Sequence, residues 1–144
     1  MTCTFFGHRD FKDENIDKLR DTVKDLIENH GVDNFYVGHQ GKFDWCVVVV
    51  LREMKELYPH INYKVVLSEL GDSTKHSRYS PDETMVYDGF ENVPPKFSID
   101  RRNMWMLKKS EWVVCYVVCT HTTGGAAQYA ELAQRQKKSF INIA

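Results

Sequence analysis

The sequence predicts an α/β fold in which helices cover both faces of one parallel sheet. Short apolar segments rich in β-branched and aromatic residues alternate along the chain with amphipathic helical segments, which is the pattern of successive βαβ units. One segment, Glu111–Val118, is almost continuously apolar, as expected for a central strand covered on both faces. The length of 144 residues suits a single domain with its own core. We therefore expect one domain, residues 1–144, built as a three-layer sandwich.

The first half of the chain contains three predicted strands and two predicted helices. Apolar residues in the helical segments recur at spacings of three and four, and Gly31 and Pro59 mark where the helices stop. The valine run 47–50 belongs to the second helix, because the helical stripe continues beyond it. In chain order the elements are strand Thr2–Phe6, helix Asp13–His30, strand Asn34–Val37, helix Phe43–Tyr58 and strand Ile61–Leu67.

The second half begins with a long segment without clear periodicity, Ser68–Ser98. A loop of this length is uncommon inside a compact domain and is often a lid or a binding segment; the segment leaves room for a short strand or helical turn around residues 83–87. The elements that follow are helix Ile99–Lys109, strand Glu111–Val118, a helix from Gly124 to about Lys138, and strand Phe140–Ile143. Five parallel strands in this arrangement predict a Rossmann-like sheet with strand order 3-2-1-4-5.

Composition and charge narrow the function classes. Lys and Arg number 19 against 20 Asp and Glu, giving a net charge of −1, whereas nucleic-acid binders usually carry a basic excess. The apolar runs, Cys46–Leu51 among them, are too short to span a membrane, and the first residues lack the basic region of a signal peptide. The four cysteines lie in apolar segments without a C-x-x-C pair, which favours reduced core residues over metal ligands. We expect a cytoplasmic protein with no membrane or nucleic-acid partner, no metal and no cofactor.

Loops that follow predicted strands carry the candidate binding residues. In open parallel sheets, ligands bind beyond the carboxyl ends of the strands where the strand order reverses, here between strands one and four. The loop after strand one is Gly7-His8-Arg9. Glycine permits a tight turn there, and the planar fork of Arg9 can clamp a phosphate or carboxylate. The alternative is a plain turn with an exposed arginine.

The loop after strand two contains Gly38, Gly41 and Asp44. A glycine-bounded loop that enters a helix can hold a phosphate with its backbone N–H groups, although the spacing is not that of a Walker loop. Asp44 either caps the helix or binds a ribose hydroxyl.

The loop after the fourth predicted strand, Glu111–Val118, gives the strongest local signal of a binding site. Hydroxyl, glycine and small side chains lead there into a helix N-terminus, which is an anion site through its free N–H groups and the helix dipole. The alternative is a flexible loop with a threonine as the helix cap. The candidate binding residues in this loop are Thr120, Thr123, Gly124, Gly125 and Ala126.

Three histidines, His8, His39 and His121, each follow a strand end. If they face one crevice, ligand affinity should change as they titrate near their ordinary pKa of about 6.5. Three exposed loop histidines are the alternative.

Two predicted helices place further polar residues within reach of the same crevice. Arg102 and Asn103 lie in the first turn of helix Ile99–Lys109, and Glu131 lies about two turns into the helix after the glycines. An arginine and a glutamate that converge on a ribose phosphate would hold the phosphate and stabilise positive charge at the anomeric carbon. From spacing alone, a surface arginine and a surface glutamate are the simpler interpretation.

Four segments together resemble the SLOG superfamily, most closely the YpsA-like branch of small bacterial and phage proteins once grouped as DUF1273. The resemblance runs from the first strand to the terminal Ile141-Asn142-Ile143 and covers essentially the whole chain. It implies a Rossmann-like fold shared with the DNA-processing protein DprA and with the Lonely Guy phosphoribohydrolases. It also implies a pocket for a nucleotide or nucleotide-derived ligand, including NAD- or ADP-ribose-related molecules. The segments are Phe5-Phe6-Gly7-His8-Arg9, Gly38-x-x-Gly41-x-Phe43-Asp44, the run from Ile99 to Met106, and Gly124-Gly125-Ala126.

The Lonely Guy pattern is matched in part. Arg102 and Glu131 occupy the positions of its catalytic arginine and glutamate, so the resemblance implies hydrolysis of the N-glycosidic bond of a nucleoside 5′-monophosphate. Three positions depart from the pattern: Thr123 stands for a proline, Ala127 for a glycine and Gln128 for the phosphate-contacting threonine.

Three functions follow as hypotheses. The first is the binding of a nucleotide-like small molecule, for sensing or sequestration, and it needs only the glycine loops with Arg9 and Arg102. The second is N-glycosidase activity, which also needs Glu131. The third is an accessory role in DNA processing, against which the near-neutral charge counts. A homodimer with Trp105, Trp112 and Met106 at its surface is one expectation for assembly, and a core role for these residues is the alternative.

Overall fold

A computed structural model describes residues 1–70, 78–118 and 124–144. The strands form one fully parallel sheet with the order β4-β3-β2-β1-β5-β6. In chain order the elements are β1 Thr2–Gly7, α1 Ile16–His30, β2 Asn34–Val37, α2 Gly41–Leu57, β3 Asn62–Val66, β4 Thr84–Met85, α3 Ser98–Lys109, β5 Trp112–Tyr116, α4 Gly125–Arg135 and β6 Ser139–Asn142. The α/β class and the parallel sheet are confirmed.

The prediction of five strands in the order 3-2-1-4-5 is wrong, because the described residues contain six. The additional strand, β4, lies within residues 83–87 of the long segment, where the sequence left room for a short strand or helical turn, and it pairs in parallel with β3 through Val65 with Thr84 and Val66 with Met85. A strand of two residues is too short to show an alternating pattern, so its sequence carries no periodic signal. The five predicted strands keep their neighbours, and β4 extends the sheet at one edge.

Helices cover both faces of the sheet. Successive side chains of a strand point to opposite faces, and in β1 the side chains of Phe5 and Phe6 accordingly join two different apolar clusters. Phe5 packs in the cluster that contains the buried residues of α1 and α2, and Phe6 packs with those of α3 and α4. This division into helix, sheet and helix layers is the three-layer sandwich expected from the sequence.

The cysteines Cys3, Cys46 and Cys115 are free and buried, while Cys119 falls outside the described residues. Burial raises the pKa of the Cys115 thiol to about 12, which suits an inert core residue. Met106 is also buried, so the core alternative holds for it. Among the described helices, none has the length and apolar character needed to cross a membrane.

Candidate functional site

A cleft of about 300 Å³ opens at the carboxyl ends of β1 and β2, where the first turns of α2, α3 and α4 meet. Within the sheet, β2, β3 and β4 lie on one side of β1, whereas β5 and β6 lie on its other side, so the strand order reverses at β1. This is the position at which ligands bind in open parallel sheets. The cleft brings together most of the predicted site residues, namely Gly7, His8, Arg9, Gly38, Asp44, Arg102, Asn103, Gly124, Gly125 and Ala126.

Arg102 is 2% exposed and lines this cleft. Its guanidinium donates hydrogen bonds to the Val66 carbonyl oxygen at 2.9 Å, to Asn103 Oδ1 at 2.8 Å and to Gln40 Oε1 at 2.6 Å. Burial lowers the pKa of Arg102, and the charge of Asp44 opposes that shift. Arginine nevertheless stays protonated in proteins and carries five N–H groups. The site therefore holds a buried positive charge whose three hydrogen bonds within the described residues all go to uncharged acceptors, with two N–H groups remaining.

Two glycines leave the space that large side chains of the site occupy. A Cβ atom on Gly38 would lie 2.8 Å from Arg102 Cζ, and one on Gly7 would lie 2.3 Å from the ring of Phe43. Both distances are shorter than a carbon–carbon contact allows. The glycines after β1 and β2 are therefore required by packing, and Gly38 in particular lets the guanidinium approach the backbone.

Gly41 leaves space for the side chain of Arg9, as Gly38 does for that of Arg102, but Gly41 does not itself line the cleft. Its φ of +83° lies in the left-handed region that glycine adopts at no steric cost, and a Cβ there would lie 2.7 Å from Arg9 Cγ. Arg9 is exposed and lines the cleft. The cleft is thus lined by one exposed and one buried arginine.

Asp44 lies in the first turn of α2 and is 8% exposed. Its Oδ2 accepts the backbone N–H of Gln40, the residue that precedes α2, at 2.9 Å, so the carboxylate joins the loop after β2 to the first turn of the helix without being its N-cap. Burial raises the pKa of Asp44 to about 6, against the lowering effects of the Arg102 charge, this hydrogen bond and the Arg9 charge. Oδ1 makes no hydrogen bond within the described chain, which leaves it as an acceptor for a ligand hydroxyl.

The histidines do not all reach the cleft. His8 lines it and lies next to Gly124, since a Cβ on Gly124 would lie 3.5 Å from His8 Cε1. Nε2 of His39 instead accepts the backbone N–H of Ser68 at 3.1 Å, and His39 is not part of the cleft lining. His121 lies outside the described residues.

The N-terminus of α4 forms one wall of the cleft. Gly124 precedes the helix in an extended conformation, and its carbonyl oxygen accepts the N–H of Gln128 at 3.2 Å. The N–H groups of the first helical turn have no partner within a helix and can bind an anion. The predicted ligands Thr120 and Thr123 lie outside the described residues.

Several lining residues were not among the predicted ones. Tyr129 is 2% exposed, its ring stacks on Phe6 with centroids 5.0 Å apart, and its hydroxyl donates to Asp100 Oδ1 at 2.9 Å. Tyr129 follows Gly125 by four residues, one helical turn, and that spacing is the signal that would have found it. Gln40 carries no comparable signal, since its role depends on the arginine that α3 brings to it. Ile99 and Met106 add an apolar wall.

Glu131 lies apart from Arg102. Its side chain is 65% exposed, its Oε1 pairs with Arg135 at 2.7 Å, and it is not part of the cleft lining. The arginine and the glutamate that together would form a hydrolase site are therefore not brought together in this arrangement.

No group of three His, Cys, Asp or Glu side chains within the described ranges is arranged to hold a metal ion. The chain matches no protein-family model and no curated protein. The resemblance to the SLOG superfamily therefore stays a prediction, and the fold by itself does not determine the function.

Proposed function

We propose that the protein binds a nucleotide or a nucleotide-derived molecule of the NAD or ADP-ribose type in this cleft, and that it senses or sequesters this ligand. The observation that carries the proposal is the guanidinium of Arg102, buried and hydrogen-bonded to uncharged acceptors alone among the described residues. A buried charge costs free energy unless an opposite charge or several hydrogen bonds offset it. The charge of Asp44 acts on Arg102 but Asp44 accepts none of its three hydrogen bonds, so an anionic group in the cleft would supply a charged acceptor for the two remaining N–H groups.

The surroundings of Arg102 suit a phosphate group. Arg9 adds a second guanidinium, and guanidinium groups bind phosphate through paired hydrogen bonds. The N-termini of α2 and α4 add helix dipoles that favour negative charge. Arg9, Arg102 and Asp44 give the lining a net charge of +1 when the histidine is neutral, which attracts an anion.

The remaining lining suits the other parts of a nucleotide. Asp44 Oδ1 can accept a ribose hydroxyl, and the rings of Phe6 and Tyr129 with Met106 form an apolar wall for a base. The volume of about 300 Å³ between the described residues is at the lower end for small-molecule sites. We therefore favour a mononucleotide, or one half of a dinucleotide, as the part of the ligand that this cleft holds.

Calorimetry and thermal shift against AMP, cyclic nucleotides, NAD and ADP-ribose test the proposal. We expect at least one compound to bind and Arg9→Ala to weaken it about tenfold or more, because a charged hydrogen bond contributes about 1.5–3 kcal/mol. Arg9 is exposed, so this variant keeps the fold. Arg102→Met should abolish binding, with circular dichroism as the folding check.

Lys24→Ala is the matched control, since it removes a positive charge from the exposed face of α1. The proposal is overturned if none of these compounds binds, or if neither arginine variant changes the affinity of a compound that does.

Hydrolysis of the N-glycosidic bond is the second candidate, and the buried carboxylate of Asp44 favours it. A carboxylate next to the anomeric carbon stabilises the positive charge of an oxocarbenium-like transition state. Asp44 lines the cleft, whereas Glu131 pairs with Arg135 at the surface.

Chromatography of each binding nucleotide for released base separates binding from catalysis. If base is released, Asp44→Asn should reduce the rate more than Glu131→Gln does. Binding without any base release would exclude the hydrolase and leave the binding function.

A further inference from the structure

A second cleft, of about 470 Å³, lies along α3. It shares no lining residue with the first cleft. Its walls come from α3, from the segment that follows β4 and from the turn between α4 and β6. Its lining includes Tyr87, Arg101, Met104, Trp105, Lys108 and Lys138.

Four of these residues form one stripe on α3. Positions 101, 104, 105 and 108 are spaced by three and four residues, so their side chains share a helix face. Arg101 and Lys108 stand at the two ends of the stripe, about 10 Å apart along the helix axis. Met104, 42% exposed, and Trp105 lie between them. The stripe therefore presents an apolar surface with a cation at each end.

The cleft is positively charged although the molecule is not. Among the described residues, Arg101, Lys108 and Lys138 line it together with one carboxylate, that of Asp88. None of these four makes an ion pair with another described residue. The local excess is two positive charges in a chain whose net charge is −1. Such a local excess attracts small anions to the cleft.

Tyr87 adds an unused hydrogen-bond donor. Its ring lies 6.0 Å from that of Trp105, centroid to centroid, and the residue is 6% exposed. Its hydroxyl is buried and has no hydrogen-bond partner in the described part of the chain. Burial raises the pKa of this hydroxyl, whereas the charges of Arg102 and Arg101 lower it by less. The hydroxyl therefore keeps its proton at neutral pH. A buried hydroxyl without a partner costs about 1–3 kcal/mol, which a ligand acceptor would recover.

We infer that this second cleft binds a small anion with a flat apolar body, such as an aromatic phosphate ester or an aromatic carboxylate. The apolar body packs on Trp105 and Met104, and the anionic group lies between the cations of α3 and Lys138. A volume of about 470 Å³ is within the range of small-molecule sites. The inference does not depend on the function proposed for the first cleft.

A titration followed by two-dimensional ¹H–¹⁵N NMR tests the site, with 1-naphthyl phosphate as the probe. We expect saturable shifts of the Trp105 indole N–H and of backbone amides in 87–89 and 101–108. Inorganic phosphate and 1-naphthol should each bind at least tenfold more weakly, because each offers only one half of the recognised chemistry.

Two variants assign the binding to named groups. Lys108→Glu should weaken the probe at least tenfold, and Tyr87→Phe severalfold, the latter without loss of thermal stability because no described partner is lost. Lys24→Glu makes the same charge change on α1 and should leave the affinity unchanged.

The inference is overturned if the shifts fall instead on 124–126, if 1-naphthol binds as well as its phosphate, or if Lys108→Glu has no effect. A hexaglutamate peptide that binds the same residues more tightly than the probe would overturn it too, by identifying the cleft as a peptide-docking surface.

Discussion

The ionisation of Asp44 links the cleft to the stability of the whole chain. Burial raises its pKa from 3.8 to about 6, so between these values the folded state holds a proton that the unfolded state has released. The free energy of unfolding therefore falls as the pH rises from about 4 to about 6, by on the order of 3 kcal/mol in total. Asp44→Asn, which does not titrate, should lose this pH dependence. Urea unfolding of both proteins from pH 4 to pH 7 measures the difference.

The control for this experiment is Asp21→Asn, which removes an exposed carboxylate from α1 and should keep the pH slope of the parent protein. If Asp44→Asn shows the same slope as well, burial does not raise the pKa of Asp44, and the carboxylate is ionised throughout this range.

Gly38 is the second residue on which the cleft depends. A Cβ placed 2.8 Å from Arg102 Cζ has to displace a guanidinium that three hydrogen bonds hold. We expect Gly38→Ala to lower the free energy of unfolding by roughly 1–3 kcal/mol, the usual cost of forcing an extra carbon into a packed site. Gly125→Ala is the matched control because nothing lies within 4 Å of its added Cβ. Chemical denaturation compares the two, and equal stabilities would mean that Arg102 relaxes freely.

At the scale of elements, Glu83 anchors the segment before β4 to the rest of the fold. Its carboxylate accepts hydrogen bonds from Arg52 of α2 at 2.6 and 2.8 Å, from the Tyr63 hydroxyl of β3 at 2.6 Å and from the Ser80 N–H at 2.9 Å. The bonds from Arg52 contribute most to lowering the pKa of Glu83 to about 2. One side chain that is only 8% exposed thus joins three segments.

Glu83→Gln should lower the free energy of unfolding by about 2–3 kcal/mol at pH 7, since it leaves Arg52 without its buried partner. A depressed pKa stabilises the fold above the unfolded value of 4.5, and this contribution is lost as the pH falls towards 2. The difference between the two proteins should therefore shrink below pH 4.5. Hydrogen exchange should also show weaker protection of the Leu67 amide, which donates to Met85 in β4.

The matched control is Glu53→Gln, which breaks the other glutamate–arginine pair of α2. Glu53 binds Arg20 with its side chain 42% exposed, and exposed pairs contribute less than about 1 kcal/mol. A similar loss in both variants would contradict the anchoring role of Glu83.

The elements that the sequence predicts are those with a repeating pattern. Helix α1 has Leu19, Val23 and Leu26 at helical spacing, and the structure buries all three. Strand β4 has two residues and no pattern, and it exists because Glu83 and the edge of β3 hold it in place. The loops that line the cleft were predictable because ligands bind beyond the ends of parallel strands. Gln40 was not predictable, because its role depends on the contact with Arg102 of α3, whereas Tyr129 carried a signal in its spacing of four residues from Gly125.

For the whole molecule, the net charge favours the binding of small anions over the binding of polyanions. A net charge of −1 confines the excess of cations to local sites such as the two clefts, whereas a nucleic acid needs a continuous basic surface. We expect a 20-nucleotide single strand to bind no more tightly than a mononucleotide. A mononucleotide should also lose affinity only modestly between about 50 and 200 mM salt, since it lacks the condensed counterions whose release makes the binding of a polynucleotide strongly salt-dependent. Competition calorimetry at the two salt concentrations measures both quantities. An oligonucleotide that binds more tightly, and weakens by about 10³ or more over this range, would instead favour the accessory role in DNA processing.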